Sequence, residues 1–554
     1  MAGVAAVALV VSGCGGGGSD SSGGGNAEPA SATENQTNPV DRDQLTQGGD
    51  FRWALGGFPA NFNYNQLDGT DDDNENVISA LMPEAFEASA DASLTVNEDY
   101  FTSIEVTSED PQVITYTINP DAVWSDGTPI TAGDLTAQWH ALNGTDDAYN
   151  VSSTTGYEQI ATVEQGTDER QAVVTFTNVY ADWQALFTPL YPASTNTDPE
   201  VFNTGWIDAP LLTAGPFMLD NIDTSAQTIT LTPDPDWWGD KPILDNIIYR
   251  VMDPDASIDA LANGEIDFVD IGSDADAYAR ATQLEGVELR RAGGPNFRHI
   301  TINGTSPVLS DQNVRQALAK AIDRQTIADA LLGPLGGKAQ KLDNHIFMAN
   351  QEGYQDNSGD VGTFDVEAAN AQLDEAGWTR SGDATRAKDG QELNIRFVIP
   401  SGVAASQKEA ELVQNMLAQV GAAVEIQTVP VDDFFESYIT PGDFDMTVFS
   451  WLGTAFPISP NTSIYGQPID GDVQQNYARI GTQEIDDLFQ QASQELDQEK
   501  ARELGNEIDA AIWEEVHSLT LYQRPDLIAA NAKLANFGAF GFADVQYQDI
   551  GFTE

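Results

Sequence analysis

A chain of 554 residues with 41% hydrophobic and 9% aromatic residues is long enough for about three folded domains, which excludes a small disulfide-stapled module and a mostly disordered chain. Asp and Glu total 87 against 24 Lys and Arg, a formal charge of −63, so the surface repels phosphate backbones and anionic lipids. The composition therefore predicts no nucleic-acid partner, and the sequence contains no basic patch that opposes this conclusion.

The first predicted element is an export signal. Residues 1–13 form an apolar stretch that is too short to span a bilayer core of about 30 Å. Cys14, the only cysteine, ends the sequence Val-Ser-Gly-Cys, which resembles the bacterial lipobox and predicts a lipidated N-terminus. Two acyl chains would anchor the protein stably. The Lys or Arg residues that usually open such a signal are missing, which predicts a start further upstream.

Residues 14–50 follow as a segment rich in Gly, Ser, Asn and Thr, with almost no large apolar side chain. This composition predicts a flexible tether with a root-mean-square reach of roughly 30 Å. No later stretch of about 18 apolar residues predicts a transmembrane helix. We therefore expect contact with the membrane through the lipid anchor only.

The first half of the body alternates strand and helix patterns. Residues 113–118 alternate apolar and polar side chains, as a half-buried strand does, and residues 173–176 repeat this pattern. Between them, Thr131 and Asp134 have the spacing of a helix capping box. Together these patterns predict a small α/β domain.

The second half predicts a parallel sheet. Helical spacing begins at Asp311 and ends at Gly333-Pro334. Further along, strands are expected at 393–399, 423–429 and 443–451, with helices at 407–420 and 432–438 between them. Ligands of such sheets meet the carboxyl ends of the strands, which places Trp451 and residues 452–465 at the expected binding edge.

Several stretches of the body resemble the extracytoplasmic solute-binding proteins of peptide and nickel ABC importers, the oligopeptide-binding family 5. The stretches occur in the family's order and lie at 124–134, 213–217, 236–239, 263–267, 314–324 and 374–378. Further segments, at 61–63, 209–217 and 354–357, are most similar to an actinobacterial lipoprotein subgroup, which includes a mycobacterial protein tied to mannolipid synthesis.

The resemblance implies an α/β protein of the two-lobed periplasmic-binding-protein type II fold, in its large three-domain oligopeptide-binding form, with a hinge between the lobes. The implied division has three parts. Lobe one is discontinuous and covers 51–85, 211–302 and 526–554. A small α/β domain is inserted at 86–210, and lobe two covers 303–525. The hinge strands would lie near residues 303–304 and 522–525.

The same resemblance implies where a ligand binds. Trp451 matches a family tryptophan, and the loop after it elsewhere carries an aspartate that pairs with a peptide's α-amino group. Thr454 stands near the place of that aspartate here, which weakens the case for free peptides. Weaker candidates, for which packing in the core or a loop is an equal alternative, are Phe456, Tyr465, Phe58, Asn61, Phe62, Asn303 and Tyr522.

No catalytic or metal-binding pattern is found: the four histidines lack zinc-site spacing, and no nucleophile elbow or phosphate loop is present. We therefore expect no enzyme and no cofactor. The resemblance implies a monomeric, lipid-anchored receptor on the outer face of the bacterial cell membrane. It would deliver a peptide or small-molecule solute to an ABC permease and ATPase complex. The alternatives are a regulatory or scaffolding lipoprotein of cell-wall glycolipid synthesis and, third, an extracellular hydrolase.

Overall fold

The computed structural model describes residues 35–337, 339–382, 384–430, 433–468 and 473–554. The predicted signal, Cys14 and residues 15–34 of the predicted tether lie outside the described residues.

The strands alternate with helices along most of the body. They are β1 Asp50–Leu55, β2 Phe86–Ala88, β3 Leu94–Val96, β4 Phe101–Glu109, β5 Gln112–Ile118, β6 Ile160–Gln165, β7 Gln171–Phe176, β8 Phe217–Asp223, β9 Thr228–Pro233, β10 Asn246–Val251, β11 Phe268–Asp270, β12 Val287–Ile302, β13 Ala387–Lys388, β14 Gln391–Glu392, β15 Asn394–Pro400, β16 Ala423–Val429, β17 Met446–Leu452, β18 Ser518–Asn531, β19 Leu534–Ala535 and β20 Gly551–Phe552.

The helices are short except for two near the middle and the end of the chain. They are α1 Asp72–Ile78, α2 Ala132–Leu142, α3 Ala193–Asn196, α4 Pro199–Thr204, α5 Ser257–Asn263, α6 Ala275–Ala281, α7 Gln312–Lys320, α8 Arg324–Leu332, α9 Val366–Glu375, α10 Ala404–Gln419, α11 Thr462–Tyr465, α12 Gln483–Ala492 and α13 Gln498–Glu515. A wider π-helical turn covers Phe434–Ile439.

Three larger sheets organise the described residues. One has the strand order β1-β10-β9-β8, a second β4-β5-β7-β6, and a third, mixed sheet β11-β18-β12-β17-β15-β16. The first two share one hydrophobic core, whose centre is the packed rings of Phe51, Trp53, Phe268 and Phe537. The mixed sheet and helices α7–α10 enclose a second core.

The expected local patterns are confirmed where they are strongest. β5 buries every second residue, and Thr131 and Asp134 form a complete capping box at the start of α2. β15 pairs in parallel with both β16 and β17, so the strand–helix–strand–helix–strand expectation is confirmed. The sheet differs from that expectation on one side, because the long strands β12 and β18 continue it in antiparallel fashion.

The pairing of β12 with β18 shifts register at two places, and the larger shift lies in its middle. Gly293 faces Pro525, but the next register pair is Phe297 with Gln523, so three residues of β12 bulge opposite Arg524. A Cβ on Gly294 would lie 2.8 Å from the Arg524 carbonyl oxygen, which explains the glycine. The bulge lies before Asn303, and residues 297–302 pair with β17. The division of lobes at 302/303 stays a prediction.

The segment at 35–50 differs from the predicted flexible tether. Asn536 receives a backbone hydrogen bond from Val40, and Thr46 bridges to Phe552 near the C-terminus. Leu45 is buried against Ile243. Polar side chains and one leucine therefore fasten this segment to the body, although its composition is typical of a linker.

Among the described residues, no helix is both long enough and apolar enough to cross a membrane.

Candidate ligand-binding site

Trp451 lies near the end of β17, at the carboxyl edge that the sheet topology favours for ligands. Its ring is parallel to that of Tyr477, with centroids 5.9 Å apart, and to that of His299, 5.7 Å away. Phe449 meets it edge-on. Trp451 and Tyr477 are both half-buried and thus form the partly exposed side of an aromatic cluster, whose buried members are His299 and Phe449.

His299 within this cluster is buried, and its Nε2 lies 2.9 Å from the Thr301 hydroxyl. Burial and the neighbouring Arg298 charge hold the pKa of His299 well below its usual value. The ring is therefore neutral at physiological pH and serves as an aromatic support for Trp451.

Arg298 and Tyr522 belong to the scaffold. The Arg298 guanidinium forms a two-pronged ion pair with Glu409 of α10, and the Tyr522 hydroxyl donates to the same carboxylate at 2.6 Å. Ser406 accepts a further hydrogen bond from Arg298. Because all of these side chains are buried, Tyr522 is engaged in a closed network and not in ligand contact.

A cavity of about 280 Å³ lies between the 86–210 segment and the 303–525 segment. The first contributes Asp91 and Asp182, and the second contributes Phe456, Glu352 and other side chains. Phe456 follows Trp451 on the predicted binding loop, whereas Trp451 itself is not among the residues that line this cavity. Of the predicted ligand residues, Phe456 is the one that lines it.

Most of the charged residues that line the cavity are acidic. Four carboxylates, those of Asp91, Asp182, Glu352 and Glu495, face one guanidinium, that of Arg502, which is already paired with Glu352 at 3.2 Å. Such a lining favours a cationic group, above all one that has lost part of its water shell.

Asp182 is the least satisfied of these carboxylates. Its Oδ2 is buried and has no hydrogen-bond partner among the described residues. Burial raises the pKa of Asp182, while hydrogen bonds from the side chain and backbone of Ser459 partly offset that rise. An enclosed carboxylate oxygen without a donor is costly, and a protonated amine would supply both the missing donor and the missing charge.

The walls of the cavity are joined by few hydrogen bonds. The backbone N–H of Ala181 donates to Ser493 at 3.0 Å, and that of Glu352 donates to Asp91 at 3.4 Å. The Asn350 amide donates to Ala90 at 3.3 Å. A contact made of a few backbone hydrogen bonds can separate and re-form at small cost, as entry of a solute requires.

Thr454 stabilises the loop that contributes Phe456 to the cavity. Its hydroxyl donates to the Phe456 carbonyl at 2.9 Å, and its own carbonyl accepts from Gln351. In this chain position 454 therefore stabilises the predicted binding loop by hydrogen bonds and presents no carboxylate.

The remaining predicted residues lie elsewhere. Tyr465 is fully buried between His345 and His517. Asn303 is buried and holds the carbonyls of Gly442 and Phe444. The surroundings of Tyr465 and Asn303 are those of packing residues. The first-strand candidates belong to the first hydrophobic core or its edge: Phe58, Asn61 and Phe62.

Reasoning from the sequence missed Asp182, Glu352 and Arg502. In a chain with 87 acidic residues, no local pattern distinguishes one aspartate from the others. The cavity brings Asp182 and Glu352 together from segments 170 residues apart, which only the tertiary fold reveals.

The model of the bacterial extracellular solute-binding proteins, family 5, matches residues 95–471. The chain belongs to this family. The oligopeptide-binding protein OppA of Mycobacterium tuberculosis is 43% identical over 552 residues, which cover 99% of this chain and 92% of that protein. The members to which it is similar are binding proteins and not enzymes.

Solved structures of family 5 binding proteins show the same two-lobed α/β fold. The periplasmic EDTA-binding protein EppA superimposes with a TM-score of 0.82 and 28% identity, over 94% of this chain and 99% of that chain. AppA from Bacillus subtilis, solved with a nonapeptide, gives a TM-score of 0.69 at 20% identity over 92% of this chain and 100% of that chain, and thus supports the fold alone.

A more distant relative has a different description. "Probable monoacyl phosphatidylinositol tetramannoside-binding protein LpqW" of Mycobacterium tuberculosis is 28% identical over 335 residues, which cover 59% of this chain and 50% of that protein.

Proposed function

We propose that this family 5 protein is the lipid-anchored substrate-binding component of an ABC importer and that it captures a peptide or related polar solute through a protonated amine. The solute occupies the cavity between the 86–210 and 303–525 segments, beside Trp451. Closure of the walls around it creates the shape that a membrane permease recognises.

The Asp182 carboxylate, whose buried Oδ2 has no hydrogen-bond partner among the described residues, carries this proposal. It lies in a wall with three further carboxylates. We propose that it takes the part of the aspartate that the family resemblance implies near the place of Thr454 in peptide-binding members. A peptide α-amino group provides several N–H donors and one positive charge, which match an enclosed carboxylate.

The membrane context of the proposal comes from the sequence. Lipidation at Cys14 would hold a monomeric receptor at the outer face of the cell membrane, within reach of a permease and ATPase complex. Mass spectrometry of the mature protein tests this part, since a diacylglyceryl-modified cysteine at the N-terminus is expected.

Isothermal titration calorimetry with alanine peptides of two to eight residues tests the amine. Peptides with a free N-terminus should bind, and their N-acetylated counterparts should bind at least about tenfold more weakly, because the acetyl group removes the charge that Asp182 pairs with. Asp182→Asn should cause the same loss for free peptides.

The control variant is Glu105→Gln, which removes an exposed carboxylate from β4 of the same segment. Its affinity should equal that of the unaltered protein. Equal binding of acetylated and free peptides would contradict the proposed role of Asp182.

Trp451→Ala tests whether the aromatic cluster contributes to ligand binding. A ligand at 100 times its dissociation constant should add about 2.7 kcal/mol to the free energy of unfolding, seen as a higher melting temperature. In Trp451→Ala this ligand-induced increase should be mostly lost, whereas an unchanged increase would place the ligand elsewhere.

A second candidate function is a regulatory or scaffolding lipoprotein of envelope glycolipid synthesis. The similarity to LpqW and the threonine at position 454 favour it. Mannolipid headgroups included in the same calorimetric panel distinguish the two, because binding of headgroups and of no peptide would support the second function.

A further inference from the structure

A second, smaller cavity lies at the bulge between β12 and β18. It has a volume of about 80 Å³ and shares no lining residue with the acidic cavity. Gly293, Gln523 and Pro525 of the two strands form one side of it. The segment after α8, with Leu335 and Lys341, forms the other.

The lining of this cavity has the opposite charge to that of the first. Its titratable residues are three cations, Arg291, Lys341 and Arg524, and no carboxylate is among its described lining residues. The chain has 24 basic residues against 87 acidic ones, so three cations around one small cavity are a marked local reversal.

Two of these cations have no carboxylate partner within 4.0 Å among the described residues. Arg291 donates to the Leu335 carbonyl and lies over the Tyr278 ring at 5.4 Å. Arg524 donates to the Ser273 hydroxyl at 2.8 Å, and its charge acts on Asp270 without forming an ion pair.

Lys341 is only partly neutralised, because the carboxylate that it contacts is shared. Asp343 pairs with both Lys341 and the buried Arg324. The positive charge around the cavity therefore exceeds the negative charge, even though the chain as a whole is strongly acidic.

Besides the three cations, the lining contains two polar amides, those of Gln340 and Gln523, and an apolar part. Leu332, Leu335 and Leu342 are buried on the far side, and Ala349 and Pro525 complete the apolar part. Guanidinium groups bind carboxylates in a two-pronged manner, and leucine side chains accept a short aliphatic group.

We propose that the cavity at the β12–β18 bulge binds a carboxylate carried on a short aliphatic group, with Arg291, Arg524 and Lys341 holding the carboxylate and the leucines holding the aliphatic part. The bound group bridges the two long strands and the segment after α8, so it joins parts of the protein that meet at the bulge. This proposal does not depend on the solute-binding function proposed above.

Calorimetry with isovalerate at constant ionic strength tests the proposal, with isovaleramide as the neutral probe of the same shape. Isovalerate should bind and isovaleramide should not, because only the carboxylate pairs with the guanidinium groups. Arg524→Gln should weaken isovalerate at least about tenfold.

Arg250→Gln is the matched control. Arg250 lies on β10, does not line this cavity and forms an exposed ion pair with Glu265. This variant should bind isovalerate like the unaltered protein. Asp182→Asn should do so as well, and that result would show that the site is independent of the acidic cavity. If Arg524→Gln does not fold, Lys341→Met provides the same loss of charge on the other wall.

Equal binding of isovalerate and isovaleramide would overturn the proposal, as would unchanged affinity in the folded Arg524→Gln or Lys341→Met variant. Inorganic phosphate provides a further arm. If phosphate binds and isovalerate does not, the cavity is a plain anion site and the assigned aliphatic part is wrong.

Discussion

Two carboxylates of the protein, those of Glu409 and Asp182, have opposite surroundings. Glu409 receives hydrogen bonds from Arg298 and Tyr522 and lies in the closed interior of the mixed-sheet half of the protein. Asp182 lies in a cavity wall and has one oxygen without a partner. The difference teaches that in so acidic a chain an enclosed charge indicates a binding site only where its partners are missing.

The largest expected effect concerns Glu409, the carboxylate that has hydrogen-bond partners. Glu409→Ala leaves the buried Arg298 guanidinium without its counter-charge, and we expect the free energy of unfolding to fall by about 3–5 kcal/mol. Urea denaturation followed by circular dichroism measures it. Glu411→Ala, two residues further along α10 and exposed, should change stability by less than about 0.5 kcal/mol.

An intermediate effect concerns Asp526 on β18, which accepts a hydrogen bond from the Gly541 N–H at 3.0 Å. Burial raises the pKa of Asp526 from 3.8 to about 6. Since the folded state holds this proton more tightly than the unfolded state, the stabilisation is complete below pH 3.8. It is lost as pH rises through about 6.

Asp526→Asn removes this titration. Its free energy of unfolding should exceed that of the unaltered protein at pH 7 by roughly 1–2 kcal/mol, and the difference should shrink as pH falls towards 4. Urea denaturation across pH 4–7 measures the difference. The control is Asp121→Asn, which removes an exposed carboxylate and should change stability at pH 7 by less than about 0.5 kcal/mol.

The smallest expected effect sharpens the unsatisfied side. Asp182→Asn removes a charge that burial penalises, so without ligand the protein should be stabilised, by up to about 1 kcal/mol. The same variant should lose affinity for amines. A loss of stability comparable to that of Glu409→Ala would show that Asp182 is part of the scaffold after all.

Much of the fold could be predicted from local patterns. The capping box at Thr131 and the parallel strands at 394–400 and 423–429 follow from side-chain periodicity, because hydrogen bonds and alternation within a few residues decide them. Trp451 could be placed at the strand edge for the same reason. The antiparallel additions β12 and β18 could not, since their pairing joins residues more than 200 positions apart.

The amino-acid sequence by itself determined the family, the α/β class and the end of the sheet at which the binding loop lies. Only the tertiary structure decided which charges are left unpaired. The sequence made Tyr522 a ligand candidate and gave no sign of Asp182; packing gave the tyrosine a buried partner in Glu409 and left the aspartate facing a cavity. The physical reason is that desolvation and ion pairing depend on distances between segments, which a linear pattern does not contain.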